Sequence, residues 1–154
     1  MRRDFTVNAI FYNLKTKEIE DLTGKGLKDL KKGIIRTPID PKTTFKDDPL
    51  RILRAIRFKN QLNFEYDQKI IDLFKNDEKN NFFLISHLQN KVSRERVNIE
   101  FKKILSFPSS RFLIAFLDIL SFNLFPTIFL NLDDKNFSFH FDPSNLFWIQ
   151  NSEM

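Results

Sequence analysis

Hydrophobic and polar positions change rhythm once along this chain. From Phe5 to Tyr12, Phe5, Val7, Ala9 and Phe11 alternate with other residues, the period of a half-buried strand. Lys17 to Leu22 is placed to be its hairpin partner across a turn at Asn13 to Thr16. Thr23-Gly24-Lys25-Gly26 reads as a flexible turn, Leu27 to Leu30 as a short helical turn, and Ile34 to Thr37 as a last short strand closed by Pro38 and Pro41. From Asp47 onward the period is helical. One helix is predicted over Pro49 to Lys59, with Leu50, Ile52, Leu53 and Ile56 as its apolar stripe. A second is predicted over Tyr66 to Phe74, with Ile70, Ile71 and Phe74 inward. Asn76 to Asn81 reads as a polar connection and Phe82 to Leu88 as a short apolar piece. Ser93 suits the cap of a third helix that buries Val97, Phe101, Ile104 and Leu105, ended by Pro108. Arg111 to Leu124 makes a fourth, stopped before Pro126.

This pattern predicts an α+β chain in three parts. Residues 1–45 hold short strands and a linker, residues 46–130 form a helical body, and residues 131–154, rich in Asn, Asp, Ser and Phe without a sustained period, read as an irregular tail. Two strands alone are marginal in water, so the hairpin is expected to need more sheet or a helix to pack on.

Composition narrows the chemistry. The chain has 154 residues and a formal net charge of +5, enough for one domain or the pieces of two. A basic excess of this size is compatible with a polyanion and equally with a solvated basic surface. The absence of cysteine excludes disulfides and thiolate metal sites. His87 and His140 have no ligand spacing around them, and each reads as structural or surface. No apolar run reaches the roughly 18–20 residues that span a bilayer, so no membrane partner is expected. Phenylalanine is so abundant that no single ring is a functional signal.

The richest stretch is Thr44 to Phe58, where two acids, a proline and three arginines gather at a helix start. Proline is favoured at the first helical position, which places Asp47 and Asp48 at or just outside the positive end of the helix. Arg51, Arg54 and Arg57 recur along another face as fixed cations. Two readings of Asp48 and Arg51 stand together. The pair can be a cap and its surface partner, or an acceptor and a donor aimed together at the hydrogen-bonding edge of a base. Gly24 and Gly26 can cradle a phosphate or make a hinge or plain turn, and Arg96 and Glu100 are spaced to pair along the outer face of their helix.

Four separate stretches, RRDFTVNAIFYN (2–13), DLTGKGLKDLKKGIIRTP (21–38), TFKDDPLRILRAIRF (44–58) and SRERVNIEFKKIL (93–105), resemble, in the same order, the class II tRNA nucleotidyltransferases. These CCA-adding enzymes belong with the polymerase-β-like nucleotidyltransferases and bacterial-type poly(A) polymerases. The Thr-Gly-Lys-Gly-Leu spelling and the Asp47-Asp48 pair are closer to the eukaryotic members. The resemblance implies the C-terminal part of a nucleotidyltransferase head followed by a helical neck, and addition of CCA to tRNA from CTP and ATP. It implies that Arg2, Arg3, Asp4 and Asn8 hold ribose and triphosphate, with Asp4 accepting from the 2′-hydroxyl. Asp48 and Arg51 would be an amino-acid template for the base, with Arg54 and Arg57 among the nucleotide-binding cations. Arg96 and Glu100 would support that template, and Gly24, Gly26 and Asp29 would form a spring between head and neck.

The family's Mg²⁺-binding Asp-x-Asp has no counterpart in this sequence, so it is expected upstream, and this chain alone is expected to be an inactive fragment, with a separate head fragment as a candidate partner. The alternatives are a poly(A) polymerase of the same family and a non-catalytic RNA-binding remnant. Cytoplasm, nucleus and organelle all stay open.

Overall fold

A computed structural model of the chain describes residues 3–129. Arg2, His140 and the tail expected at 131–154 lie outside the described residues. Over the described residues the architecture is α+β, with two small two-stranded sheets and eight α-helices: β1 (Ile10–Asn13), β2 (Glu18–Asp21), α1 (Gly26–Lys32), β3 (Ile34–Ile35), α2 (Pro41–Asp47), α3 (Arg51–Leu62), β4 (Glu65–Tyr66), α4 (Gln68–Lys75), α5 (Glu78–Lys91), α6 (Arg94–Leu105), α7 (Ser109–Ser121) and α8 (Phe125–Phe129).

The first correction concerns the opening strand. Thr6–Ala9 is a 3-10 turn, and the strand starts only at Ile10. Short polar side chains pull the backbone out of the extended form. Asp4 accepts the Phe5 N–H at 3.0 Å, Asn8 reaches back to Asp4 at 3.0 Å, and the Thr6 hydroxyl donates to Asp29 at 2.8 Å. Phe5 and Ala9, four residues apart, are both fully buried in consequence. The hairpin then forms as predicted, antiparallel, with Ile10 opposite Asp21 and Asn13 opposite Glu18.

The second correction is α2. The stretch read as a linker is a helix, capped by the Asp40 side chain on the Thr43 N–H and opened by Pro41. Asp47 is therefore the last residue of α2 and Asp48 its C-cap, and α3 begins at Arg51 rather than Pro49. The two acids sit at a junction between helices. The connection expected at 76–81 is likewise mostly helix: Asp77 caps α5 by accepting from the Asn80 N–H, and the short apolar piece is the middle of a 14-residue helix. Ser93 caps α6 as predicted. Pro108, expected to stop α6, stands instead at the N-cap of α7, and α8, begun by Phe125-Pro126, was missed.

The predicted stripe of α3 is its buried face: Ile52, Leu53 and Ile56 are fully enclosed. They pack with Phe5, Ile35 and Phe45 from the first third of the chain, and with Ile70, Leu84, Leu88, Ile104, Ile119 and Phe122 from the helices. Each such side chain contributes on the order of 1.5–3 kcal/mol when removed from water. Leu105, expected inward, is half exposed. α3 is thus the central strut, contacted by α6, α7 and β3, while β3 and β4 pair in parallel beside it. Among the described residues no helix is long and apolar enough to cross a membrane.

Candidate functional site

The polar side of α3 gathers charged residues from three separated parts of the chain. Asp4, brought alongside by the 3-10 turn, accepts from Arg54 Nε at 2.7 Å, and the second arm of the guanidinium lies 2.5 Å from the same oxygen. The third arm of Arg54 leans toward Glu100 of α6 at 3.7 Å. Glu100 is buried; its Oε2 accepts from Arg57 Nε at 2.7 Å and its Oε1 from Lys103 at 2.9 Å. One turn earlier on α6, Arg96 donates to the Asp48 carboxylate at 3.1 Å. A single ionic chain therefore joins Asp4 to α3 and α6, and a second pair ties the start of α3 to the same helix.

Burial opposes the charge on Asp4, but hydrogen bonds from Asn8 and Arg54 outweigh it and hold the carboxyl below its ordinary value. Glu100 behaves alike: burial pushes it up, and bonds from Lys103 and Arg57 bring it net downward. Both are carboxylates at neutral pH.

The individual predictions fare unequally. Asp48 accepts the Leu50 N–H at 3.2 Å and the Arg96 guanidinium, and its side chain stays 30% exposed at the junction of α2 and α3. Arg51 donates to the Thr44 carbonyl at 3.2 Å and lies 3.5 Å from Asp47, so its guanidinium is steadied by α2. Arg96 and Glu100 do not form the pair their spacing suggested, because Glu100 turns inward to the arginines of α3 while Arg96 turns to Asp48. Arg54 and Arg57 do not line an open cationic face: Arg57 is buried and bonded to Glu100 and Gln61, and Arg54 is shared between two acids. Arg3 lies over the Phe11 ring at 4.8 Å. Asn8 bonds Asp4.

Gly24 adopts a left-handed φ of 63° in the turn, and Gly26 presses so close that an added Cβ would lie 2.6 Å from the Thr6 carbonyl oxygen. Asp29 is buried and holds Thr6 and Arg36, and Arg36 also reaches Asp67 at 2.7 Å. Asp29 thus links the 3-10 turn through Arg36 to Asp67, the N-cap of α4. No phosphate cradle is built here, because the Asp21 carboxylate already accepts the Thr23 and Leu27 N–H groups. Sequence reasoning missed Arg36 and Lys103 as partners of these acids; only their charge, with no spacing signal, pointed to them. A shallow cavity between α2 and α4, lined by Asp40, Lys42, Lys69, Asp72 and Asp77 among others, includes none of the site residues.

Known proteins resemble this chain in sequence and in fold. Residues 1–36 match the family described as the Poly A polymerase head domain. Over 109 residues the chain is 47% identical to the mitochondrial CCA tRNA nucleotidyltransferase of Saccharomyces cerevisiae, covering 71% of this chain and 19% of that protein. A solved complex of a CCA-adding enzyme with CTP matches 93% of this chain and 31% of its own, with a TM-score of 0.69 and 30% identity. The Thermotoga maritima CCA-adding enzyme complexed with tRNA gives a TM-score of 0.69 at 29% identity, over 93% of this chain and 31% of that one. The resemblance to the tRNA nucleotidyltransferases thus stands on sequence and fold together. The chain spans about a fifth of the length of the curated relatives it matches.

Proposed function

We propose that this chain is the nucleotide-selecting segment of a tRNA nucleotidyltransferase that adds CMP and AMP, from CTP and ATP, to tRNA 3′ ends. The observation that carries the reading is the placement of Asp48: a partly exposed carboxylate at the start of α3, held from one side by Arg96 and followed by an arginine steadied on α2. Cytosine and adenine each present an exocyclic amine donor beside a ring-nitrogen acceptor, whereas uracil and guanine present the reverse. A carboxylate that only accepts and a guanidinium that only donates match the first pair and oppose the second. Asp4, with Asn8 beside it, is the ribose acceptor, and Arg3 serves the phosphates.

Arg54 and Arg57 act on the nucleotide through the carboxylates they hold. Arg96 fixes Asp48, and Glu100 fixes the arginines of α3. Gly24, Gly26 and Asp29 set how the hairpin meets the helices. Mg²⁺ is the expected metal, yet among the described residues no three His, Asp or Glu side chains are grouped to hold one, so these residues do not fit it. The mitochondrial yeast relative favours an organelle among the possible compartments.

The test is a transplant. The matching segment of the S. cerevisiae relative is replaced by this chain's, and the chimera is given tRNA lacking its 3′ end with labelled CTP and ATP. Ordered addition of C, C and A is the expected result. Runs of A alone would instead support the poly(A) polymerase reading, and a folded chimera that binds tRNA and adds nothing would support a non-catalytic remnant.

A further inference from the structure

Asp4 has no vacant place for a substrate hydroxyl in this structure. A carboxylate offers about four acceptor positions. Here one oxygen takes the Phe5 N–H and the Asn8 amide, each at 3.0 Å, and the other takes two arms of Arg54 at 2.7 and 2.5 Å. A ribose 2′-hydroxyl must therefore displace one donor. Phe5 N–H is backbone, and Asn8 is tied into the 3-10 turn. Arg54 is different, because a second acceptor stands beside it. Its third arm lies 3.7 Å from Glu100 Oε1, and a shift of about 0.7 Å brings that gap into hydrogen-bonding range. The other oxygen of Glu100 is committed to Arg57 at 2.7 Å, while among the described residues Oε1 accepts a hydrogen bond from Lys103 alone, whose side chain is half exposed.

We propose that Glu100 is a positioning residue for ribose recognition: it is the second anchor of the Arg54 guanidinium, and by drawing Arg54 over it frees one lone pair of Asp4 for the 2′-hydroxyl. The proposal rests on the reading of Asp4 as the ribose acceptor. Because Arg96 holds Asp48 from the same helix, α6 then sets both the base-reading and the ribose-reading carboxylate. The bound state exchanges one Arg54–Asp4 hydrogen bond for one Arg54–Glu100 bond and one hydroxyl–Asp4 bond, so the number of charge-assisted bonds does not fall.

The experiment measures dissociation constants of CTP and 2′-deoxyCTP for the 154-residue chain by titration NMR. Wild type is expected to prefer CTP, and Asp4→Asn to abolish the preference. Glu100→Gln should weaken CTP about tenfold, the value of one charge-assisted bond, and leave 2′-deoxyCTP unchanged. Lys103→Met, on a half-exposed side chain that does not endanger the fold, frees Oε1 and should raise the preference for CTP. Equal weakening of both nucleotides by Glu100→Gln, an unchanged ratio, or a lower preference in Lys103→Met overturns the proposal. A wild-type chain with no preference, indistinguishable from Asp4→Asn, overturns the reading of Asp4 itself and the proposal with it.

Discussion

Asp48→Asn separates the two jobs that Asp48 can hold. Asparagine keeps an oxygen for the Leu50 N–H, so the local turn survives. What disappears is the ion pair with Arg96, made by one contact at 3.1 Å between side chains that are 30% and 50% exposed. Exposed pairs of this kind contribute about 0.2–1 kcal/mol, which for a chain of this length moves the melting midpoint by no more than about 4 °C. The effect on base choice is of another order. The amide replaces one acceptor by a donor, and a donor at that place favours the uracil or guanine carbonyl over the cytosine or adenine amine. One well-placed bidentate base contact is worth about 1–3 kcal/mol of discrimination, or roughly 5- to 150-fold. The assay is single-nucleotide incorporation by the yeast chimera, with CTP competing against UTP and ATP against GTP, run beside a thermal melt. Selectivity should fall at least fivefold while the melting midpoint barely moves. A lower midpoint with intact selectivity would mean that Asp48 is a cap and nothing more.

Other consequences follow from the same contacts. Gly26→Ala drives a Cβ against the Thr6 carbonyl oxygen and should destabilise the chain by about 1–3 kcal/mol in urea unfolding, whereas Gly24→Ala, with open space around it, meets only the left-handed backbone and should cost about 1 kcal/mol. Asp4 and Glu100 both titrate below their ordinary values in the folded chain, so the unfolded chain takes up protons first as pH falls; their contribution is complete above the unfolded values and is lost as pH drops through the folded ones. Asp4→Asn should therefore flatten the acid limb of stability against pH, read as urea midpoints from pH 6 to pH 2. Tyr66 is pushed well above its ordinary value by burial and by the Asp118 carboxylate it bonds at 2.9 Å, so its ultraviolet ionisation signal should appear only with alkaline unfolding, and Tyr66→Phe should cost about 1 kcal/mol.

The helical body was legible because its signals are local: the period of Leu50, Leu53 and Ile56, and the cap at Ser93, are written within a few residues. The 3-10 turn was hidden because alternation of Phe5, Val7, Ala9 and Phe11 is also what two buried residues four apart produce when polar neighbours bond locally. α2 is masked by Pro38 and Pro41, which close the preceding strand although Pro41 also opens the helix. At the candidate site the four motif stretches contain Asp4, Arg54, Arg57 and Glu100, but their pairing depends on contacts 43 to 50 residues apart, such as Arg57 with Glu100 and Asp4 with Arg54. The i,i+4 spacing of Arg96 and Glu100 pointed the wrong way because burial of Glu100 among cations outcompetes an exposed pair worth a few tenths of a kcal/mol.

The central claim is that side chains take the place of a complementary base. The most direct measurement follows the carboxyl carbon of Asp48 by carbon-13 NMR in the 154-residue chain as each of the four nucleoside triphosphates is added. The Asp48 signal should move with CTP and ATP and stay still with UTP and GTP; equal shifts with all four, or none with any, would contradict the account.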